Sequence, residues 1–199
     1  MKKFKFGSYW KDNAEKKEHL KWFVLAEKDG KTLLLAKHGL DCRQYHYGTY
    51  GTSCSTSWSE SDLRKWLHST FINNAFSEEE QQAIIPTQNK TNDDVETEDK
   101  VFLLSIEEVN KYLTQKTRKC RPTPYAKYNN AKYNDDNICF WFLRTAGHYP
   151  YFALFVDCDG NINNVGMRVD CDYYAIRPCI WVDSSKLENI KTVSKKDVV

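Results

Sequence analysis

Trp22-Phe23-Val24-Leu25-Ala26-Glu27-Lys28-Asp29-Gly30-Lys31-Thr32-Leu33-Leu34-Leu35-Ala36-Lys37 reads as two β-rich runs around an Asp-Gly pair. Both central residues of a tight hairpin turn take positive φ, which Asp and Gly tolerate, so the stretch predicts a hairpin. The dipeptide recurs at Asp159-Gly160, inside the run from Phe152 to Val169, and predicts a second hairpin there. Phe4-Lys5-Phe6 can add a short strand. Cys139 to Leu143 is apolar throughout and reads as a central strand, with Ala175 to Val182 as the last one.

Helix signals lie in the first half. Ser59 with Asp62 three residues on has the spacing of a capping box, and Leu63, Trp66, Leu67 and Phe71 then share one helical face. Ser77 with Glu80 repeats the pattern, for a helix through Ala83 and Ile84 that stops before Pro86. Ser105 with Glu108 repeats it again, after a short buried strand at Val101 to Leu104. Residues 41–57, 87–99 and 114–137 read as loops, and the polar, acidic 87–99 has little reason to pack. Strands that do not alternate regularly with helices predict an α+β fold, mostly antiparallel and hairpin-rich, with two or three helices in the first half. Residues 1–183 read as a single domain and 184–199 as a polar C-terminal tail. The expected core holds Leu63, Trp66, Leu67, Phe102, Leu104, Trp141, Leu143, Ile176 and Trp181.

At 199 residues with 41% hydrophobic, 14% aromatic and 28% charged residues, the chain can bury a core without staples, and fibrous or disordered classes are excluded. A net charge of +2 is far below the basic excess of a duplex-binding module, so no nucleic-acid partner is expected. No apolar run reaches bilayer-spanning length, so no membrane partner is expected either. Lys2-Lys3 is followed by no apolar h-region, which points to the cytoplasm. A chain already trimmed of a leader would read the same and be secreted or surface-borne. The 7 cysteines, with no CxxC, read as reduced thiols.

No nucleotide, nucleophile-elbow or zinc-protease motif occurs, and the five histidines are scattered. Asp157-Cys158-Asp159-Gly160-Asn161-Ile162-Asn163 misses the EF-hand pattern at Gly and at the closing Glu, so it reads as a hairpin turn; a weaker oxygen-ligand calcium site stays open. Cys158, Cys171 and Cys179 are too loosely spaced for zinc, and no metal or cofactor is expected. Cys158 and Cys171 flank one hairpin, so a cross-strand disulfide is a minor alternative. Arg64, Arg144 and Arg177 lie in apolar surroundings and read as architectural, bonded to carbonyls or a buried carboxylate, like the aromatic core residues Trp58, Trp66 and Trp141. The segment from His148 to Tyr174 combines aromatic rings with Asn on turns, the chemistry of a binding surface. Tyr149, Tyr151, Asn163, Arg168 and Tyr173 are its candidate ligand-binding residues.

The order of local patterns carries a resemblance. Trp58-x-x-Ser61-x-Leu63-Arg64-x-Trp66-Leu67 is followed by Phe71, Ala75-Phe76, Asp99 to Ser105 with Glu107-Glu108, and Arg121 to Thr123 with Tyr125-Ala126. Trp141-x-Leu143-Arg144-Thr145, Asp159-Gly160, Gly166 and Ile176-Arg177-Pro178 close the series. This resembles the bacterial family catalogued as domain of unknown function 6273, from about Phe6 to Val182. The family is distantly similar to the C-type lectin-like fold of formylglycine-generating enzymes and of retroelement-diversified proteins. The resemblance implies a late Trp-x-Leu-Arg strand and a hairpin-rich ligand face. The calcium-lectin sugar motifs and the closely spaced copper-binding cysteine pair are absent.

The function expected is a binding module for a protein, peptide or glycan, with no catalytic residues. The alternatives are a cysteine-dependent oxidase or other enzyme, and a retroelement-diversified or phage-associated receptor-binding protein.

Overall fold

A computed structural model describes residues 3–48, 57–90 and 95–187. Strands β1 (Lys3–Trp10), β2 (Lys17–Lys28) and β3 (Lys31–Ala36) form an antiparallel meander. Its second turn uses Asp29 at φ 50° and Gly30 at φ 72°, the positive pair the dipeptide predicts. Short strands β4 (His38–Gly39) and β5 (Asp41–Cys42) follow.

The first helical run opens as α1 (Asp62–Trp66), widens into a π-helical turn at Leu67–Phe71 and closes as α2 (Ile72–Ala75). Its cap is Ser61, whose hydroxyl accepts from Arg64 N, and not Ser59, whose hydroxyl is bonded to Ser57. Leu63, Leu67 and Phe71 are buried, but Trp66 stands half out of the core under the Arg43 guanidinium, 4.4 Å from its ring centroid. Helix α3 (Glu78–Ala83) has the full Ser77–Glu80 capping box. It ends one residue earlier than its apolar pattern suggests, because Ile84 and Ile85 become β6 and pair with the last strand.

The segment read as an acidic loop is instead a hairpin, β7 (Thr87–Lys90) and β8 (Glu96–Asp99), with Asn89, Thr97 and Asp99 buried; residues 91–94 lie outside the description. Its strands present polar side chains inward, so alternation of hydrophobicity could not reveal them. They surround the fully buried Asp99 carboxylate. Its Oδ1 accepts from Arg64 Nε at 2.6 Å, and its Oδ2 from Trp58 Nε1 at 2.9 Å, Thr97 Oγ1 at 2.7 Å and Asn89 Nδ2 at 3.0 Å. His68 Nε2 is 3.2 Å from Oδ1.

Val101 to Leu104 is fully buried but only bridges: Phe102 pairs with Cys179, and Leu104 O accepts from Arg144 N at 3.1 Å. Helix α4 (Ile106–Tyr112) has the Ser105–Glu108 capping box. The stretch read as a loop from 114 to 137 contains α5 (Gln115–Arg118), β9 (Arg121–Pro122) and α6 (Pro124–Tyr128). These elements are too short for periodicity to register; Thr123 as N-cap and Pro124 in the first turn are the local signals.

The second half supplies β10 (Trp141–Ala146), β11 (Phe152–Val156), β12 (Ile162–Arg168), β13 (Ala175–Ile176) and β14 (Cys179–Asp183). One five-stranded sheet runs β1-β2-β3-β14-β6 and another β12-β11-β10-β13-β5. Pairing is antiparallel except β10 with β13 and β4 with β9. The chain is therefore α+β with antiparallel sheets and a few helices. The run from Ala175 to Val182 is two strands in different sheets, split at Arg177-Pro178 because Pro178 has no N–H for a ladder. Trp181 is half-buried, unlike Phe102, Leu104, Trp141, Leu143 and Ile176. Beyond β14, Leu187 is buried; the rest of the tail, 188–199, lies outside the described residues.

Arg177 at the crossover is fully buried. It donates from Nε to Ala36 O at 2.9 Å in the first sheet and from Nη1 to Arg118 O at 3.1 Å, a carbonyl the end of α5 leaves open. Its guanidinium lies 4.9 Å from the Trp141 ring centroid in the second sheet.

Burial pushes the Asp99 carboxyl up, but hydrogen bonds from His68, Trp58, Thr97 and Asn89 outweigh it and hold the pKa well below the carboxylate range. A depressed carboxyl stabilises the fold above its unfolded pKa, near 4, and that contribution is lost as pH falls toward the folded value. Asp99→Ala should cost about 3 kcal/mol in urea unfolding at neutral pH, the low end for a broken buried pair because Arg64 keeps some solvent. The variant should also lose less stability than the parent when unfolding is repeated below about pH 4.

Candidate functional site

The hairpin end of the second sheet is the most exposed aromatic surface among the candidate residues. Ala146 ends β10, and Gly147 to Tyr151 loop back into β11. A Cβ at Gly147 would lie 2.5 Å from Phe152 Cβ, so only glycine allows the loop to close, with Gly147 N donating to Phe152 O at 2.7 Å. His148 N donates to Val165 O at 2.8 Å and Val169 N to Tyr151 O at 3.0 Å, which seats the loop against β12.

On this loop Tyr149 is 46% exposed and Tyr151 48%, with Val165 on β12 at 52%. The two tyrosine rings are nearly parallel, 13° apart with centroids 6.0 Å apart, and each meets Phe152 edge-on. His148 stands against Tyr149, ring centroids 5.0 Å apart. Phe152 packs edge-on against both rings and leaves about half of each tyrosine in solvent.

Asn163 and Arg168 lie on the same strand but are engaged. Asn163 Oδ1 accepts from Val165 N at 3.1 Å and Gly166 N at 2.9 Å, forming the bend at which the β11–β12 register shifts. Gly166 sits at φ 92°, and a Cβ there would meet Ala153 O at 2.7 Å. Arg168 pairs with Phe152 across the ladder and grips Asp170 through Nε, at 2.9 Å, and Nη2. That grip holds the Asp170 carboxyl below its usual range.

Tyr173 is placed elsewhere. It stacks on buried Tyr174, with Lys132 Nζ 4.3 Å over its ring, and its hydroxyl engages Cys171. Among the described residues no hydrogen bond or ring contact joins it to Tyr149 or Tyr151. Its ring contacts are thus with Tyr174 and Lys132, apart from those of the tyrosine pair. Sequence reading did not single out Val165, Asp170 or Gly147, and it named Gly166 only within the family pattern. Gly147 before an aromatic loop was the available signal.

Of the architectural candidates Trp58, Trp141, Arg144 and Arg177 are buried, while Arg64 and Trp66 are half-buried. Trp58 and Arg64 meet at Asp99; Trp141 Nε1 donates to Arg118 O at 3.0 Å; Arg144 donates to Leu103 O at 2.8 Å and pairs with Glu108.

The Asp157 turn is built by its own side chain. Oδ1 accepts from Asp159 N at 2.9 Å and Asn161 N at 2.8 Å, and Oδ2 from Asn161 Nδ2 at 3.2 Å. Among the described residues no group of three or more His, Cys, Asp or Glu is arranged to hold a metal. The six described cysteines are free thiols; Cys54 lies outside the described residues. The alternative of a Cys158–Cys171 bridge is not realised, because Cys158 Sγ donates to Ile138 O at 2.9 Å while Cys171 faces Tyr173. Burial pushes the thiols of Cys42, Cys158, Cys171 and Cys179 up, away from the reactive thiolate. Cys120 is shifted down: burial opposes ionisation, but a hydrogen bond with Cys139 and the charge of Arg177 outweigh it.

A family model described as a domain of unknown function (DUF6273) matches residues 29–184. The chain belongs to this family. The match begins in the first Asp-Gly turn and ends just past β14, so it contains the whole hairpin end. No curated protein and no solved structure matches the chain. Among the described residues no helix is long and apolar enough to cross a membrane.

Gly166→Ala should destabilise the domain by more than about 1 kcal/mol in chemical denaturation, since φ and space both oppose a Cβ. Tyr149→Ala with Tyr151→Ala should cost about 1 kcal/mol or less, because half of each ring is already in water.

Proposed function

We propose that this protein is a ligand-binding module, recognising a protein, peptide or glycan through the loop between β10 and β11, on a C-type lectin-like scaffold of bacterial origin. The observation that carries the reading is the parallel pair Tyr149 and Tyr151, half exposed and side by side on a short loop braced by two strands. Large rings held rigidly lose little entropy on binding, and their hydroxyls supply polar contacts at the rim. Val165 extends the apolar centre, and the Arg168–Asp170 pair supplies a charged border. The thiols of Cys42 and Cys179 are raised, and Cys120, whose thiol is lowered, is buried away from solvent, which favours binding over thiol chemistry.

A glycan and peptide array probed with purified protein, with and without calcium, tests the reading. Binding to a defined array member should weaken by about 30-fold or more in Tyr149→Ala with Tyr151→Ala, the loss of an aromatic hot spot. It should survive Tyr173→Ala, whose ring contacts are with Tyr174 and Lys132. Unchanged affinity in the folded double variant would refute the site.

A further inference from the structure

Cys120, directly before β9, and Cys139, two residues before β10, oppose each other in an isolated antiparallel bridge. Cys139 N donates to Cys120 O at 2.8 Å, and Cys139 Sγ lies 3.2 Å from the same oxygen. The two thiols are within hydrogen-bond reach of each other. Opposed residues of an antiparallel pair have Cα atoms about 4.5–5.5 Å apart and side chains on one face. A disulfide spans Cα separations of about 4.4–6.8 Å, so these two residues lie inside its range. Among the described residues no other two cysteines are bridge partners. Cys42 faces Ala175, and Cys179 faces Leu35 and Phe102. Cys158 acts on Cys139 electrostatically, but its thiol is turned to Ile138 O at 2.9 Å.

Arg177 adds a second observation. Its guanidinium bonds to carbonyls of Ala36, Thr117 and Arg118, and among the described residues no carboxylate lies within ion-pair distance of it. A buried cation whose hydrogen-bond partners are neutral favours an anion beside it. Cys120 is that neighbour: burial opposes its ionisation, but the Cys139 hydrogen bond and the Arg177 charge outweigh burial. The thiolate is the form that attacks a disulfide sulfur.

We propose that Cys120 and Cys139 are a disulfide-forming pair, oxidised by exchange with a low-molecular-weight disulfide such as oxidised glutathione. The Cys120 thiolate attacks one glutathione sulfur, the glutathione S–S bond breaks, and the departing thiolate takes up the proton that Cys120 lost. Cys139, as thiolate, then attacks the Cys120 sulfur of the mixed disulfide and expels the second glutathione, which takes up the proton of Cys139. Two protein thiols are oxidised to one disulfide, and one glutathione disulfide is reduced to two thiols. Both cysteines are buried, so the exchange takes place as the chain folds or opens locally. The bond closes residues 121–138, which hold β9 and α6, and ties them to the lead of β10. It is a cross-link without turnover and does not depend on the reading of the tyrosine loop.

The test refolds the full chain from urea with oxidised glutathione in excess and, in parallel, with a phosphine reductant. Free thiols are then alkylated and the disulfides mapped by tryptic mass spectrometry. Lys127, Lys132 and Arg144 put Cys120, Cys139 and Cys158 on separate tryptic peptides. The oxidised sample should yield a linked Cys120–Cys139 peptide. It should melt about 5 °C or more above the reduced one, since closing a loop of this length constrains the unfolded chain. Cys158→Ser should keep both the link and the shift, and Cys120→Ser, its fold checked by circular dichroism, should lose the shift. The mapping of the parent needs no variant. Absence of the link in the parent, a Cys139–Cys158 link in its place, a linked form that melts no higher than the reduced one, or an unchanged shift in folded Cys120→Ser would overturn the proposal.

Discussion

A carboxylate removed from water needs its charge matched and its lone pairs filled, and Asp99 meets both demands with groups from three separate stretches of chain. Trp58 comes from the turn before the first helix, Arg64 and His68 from the helical run itself, and Asn89 and Thr97 from the β7–β8 hairpin. None of these stretches is joined to another by a sheet ladder. Remove the carboxylate and Arg64 Nε, the Trp58 indole N–H and two inward polar side chains would lose their shared acceptor, at a cost that grows with burial. Asp41 makes a useful contrast. It is equally enclosed and accepts from Tyr9, Cys42 N and Asn129, but its cation, Arg43, is 3.8 Å away, and burial raises its carboxyl pKa.

From Asp99 the chain runs directly into Val101 to Leu104, the strap between the two sheets. Phe102 joins it to β14 and Leu104 to β10, while Arg144 reaches back from β10 to Leu103 and Glu108. Arg177 closes the opposite side of the same joint from the crossover between β13 and β14. Strand β10 is thus fixed along its length by polar contacts, and the loop at its end inherits that rigidity. This is how a scaffold can hold two half-exposed tyrosines parallel on a five-residue loop: the ordering is done below them by Phe152, Gly147 and the strap, and the rings are free to meet a partner.

Much of this was legible in the chain. The two Asp-Gly hairpins, the capping boxes at Ser77 and Ser105 and the apolar strand around Trp141 follow from backbone requirements that only a few residue types satisfy. What escaped reading was set by tertiary structure. The hairpin at 87–99 hides because its inward residues are Asn, Thr and Asp, so burial and polarity coincide. Ile84 and Ile85 have a helical apolar pattern but pair with β14, and propensity yields to a ladder. Cap choice between Ser59 and Ser61 differs by two residues, and the hydrogen bond of Ser59 to Ser57 decides it. For the site, composition located Tyr149 and Tyr151, but Tyr173, in the same aromatic segment, is carried by the turn after Arg168 to Lys132.

The dependence of this architecture on an ionised, fully coordinated Asp99 can be measured at one atom. Carbon-detected NMR of the side-chain carboxyls, followed from neutral pH downward, reports each aspartate's protonation in the folded protein. The Asp99 resonance should stay at its ionised position through the range near pH 4 where ordinary aspartates titrate, moving only as the fold itself is lost. An Asp99 carboxyl that titrates near 4 while the amide spectrum remains native would contradict the account.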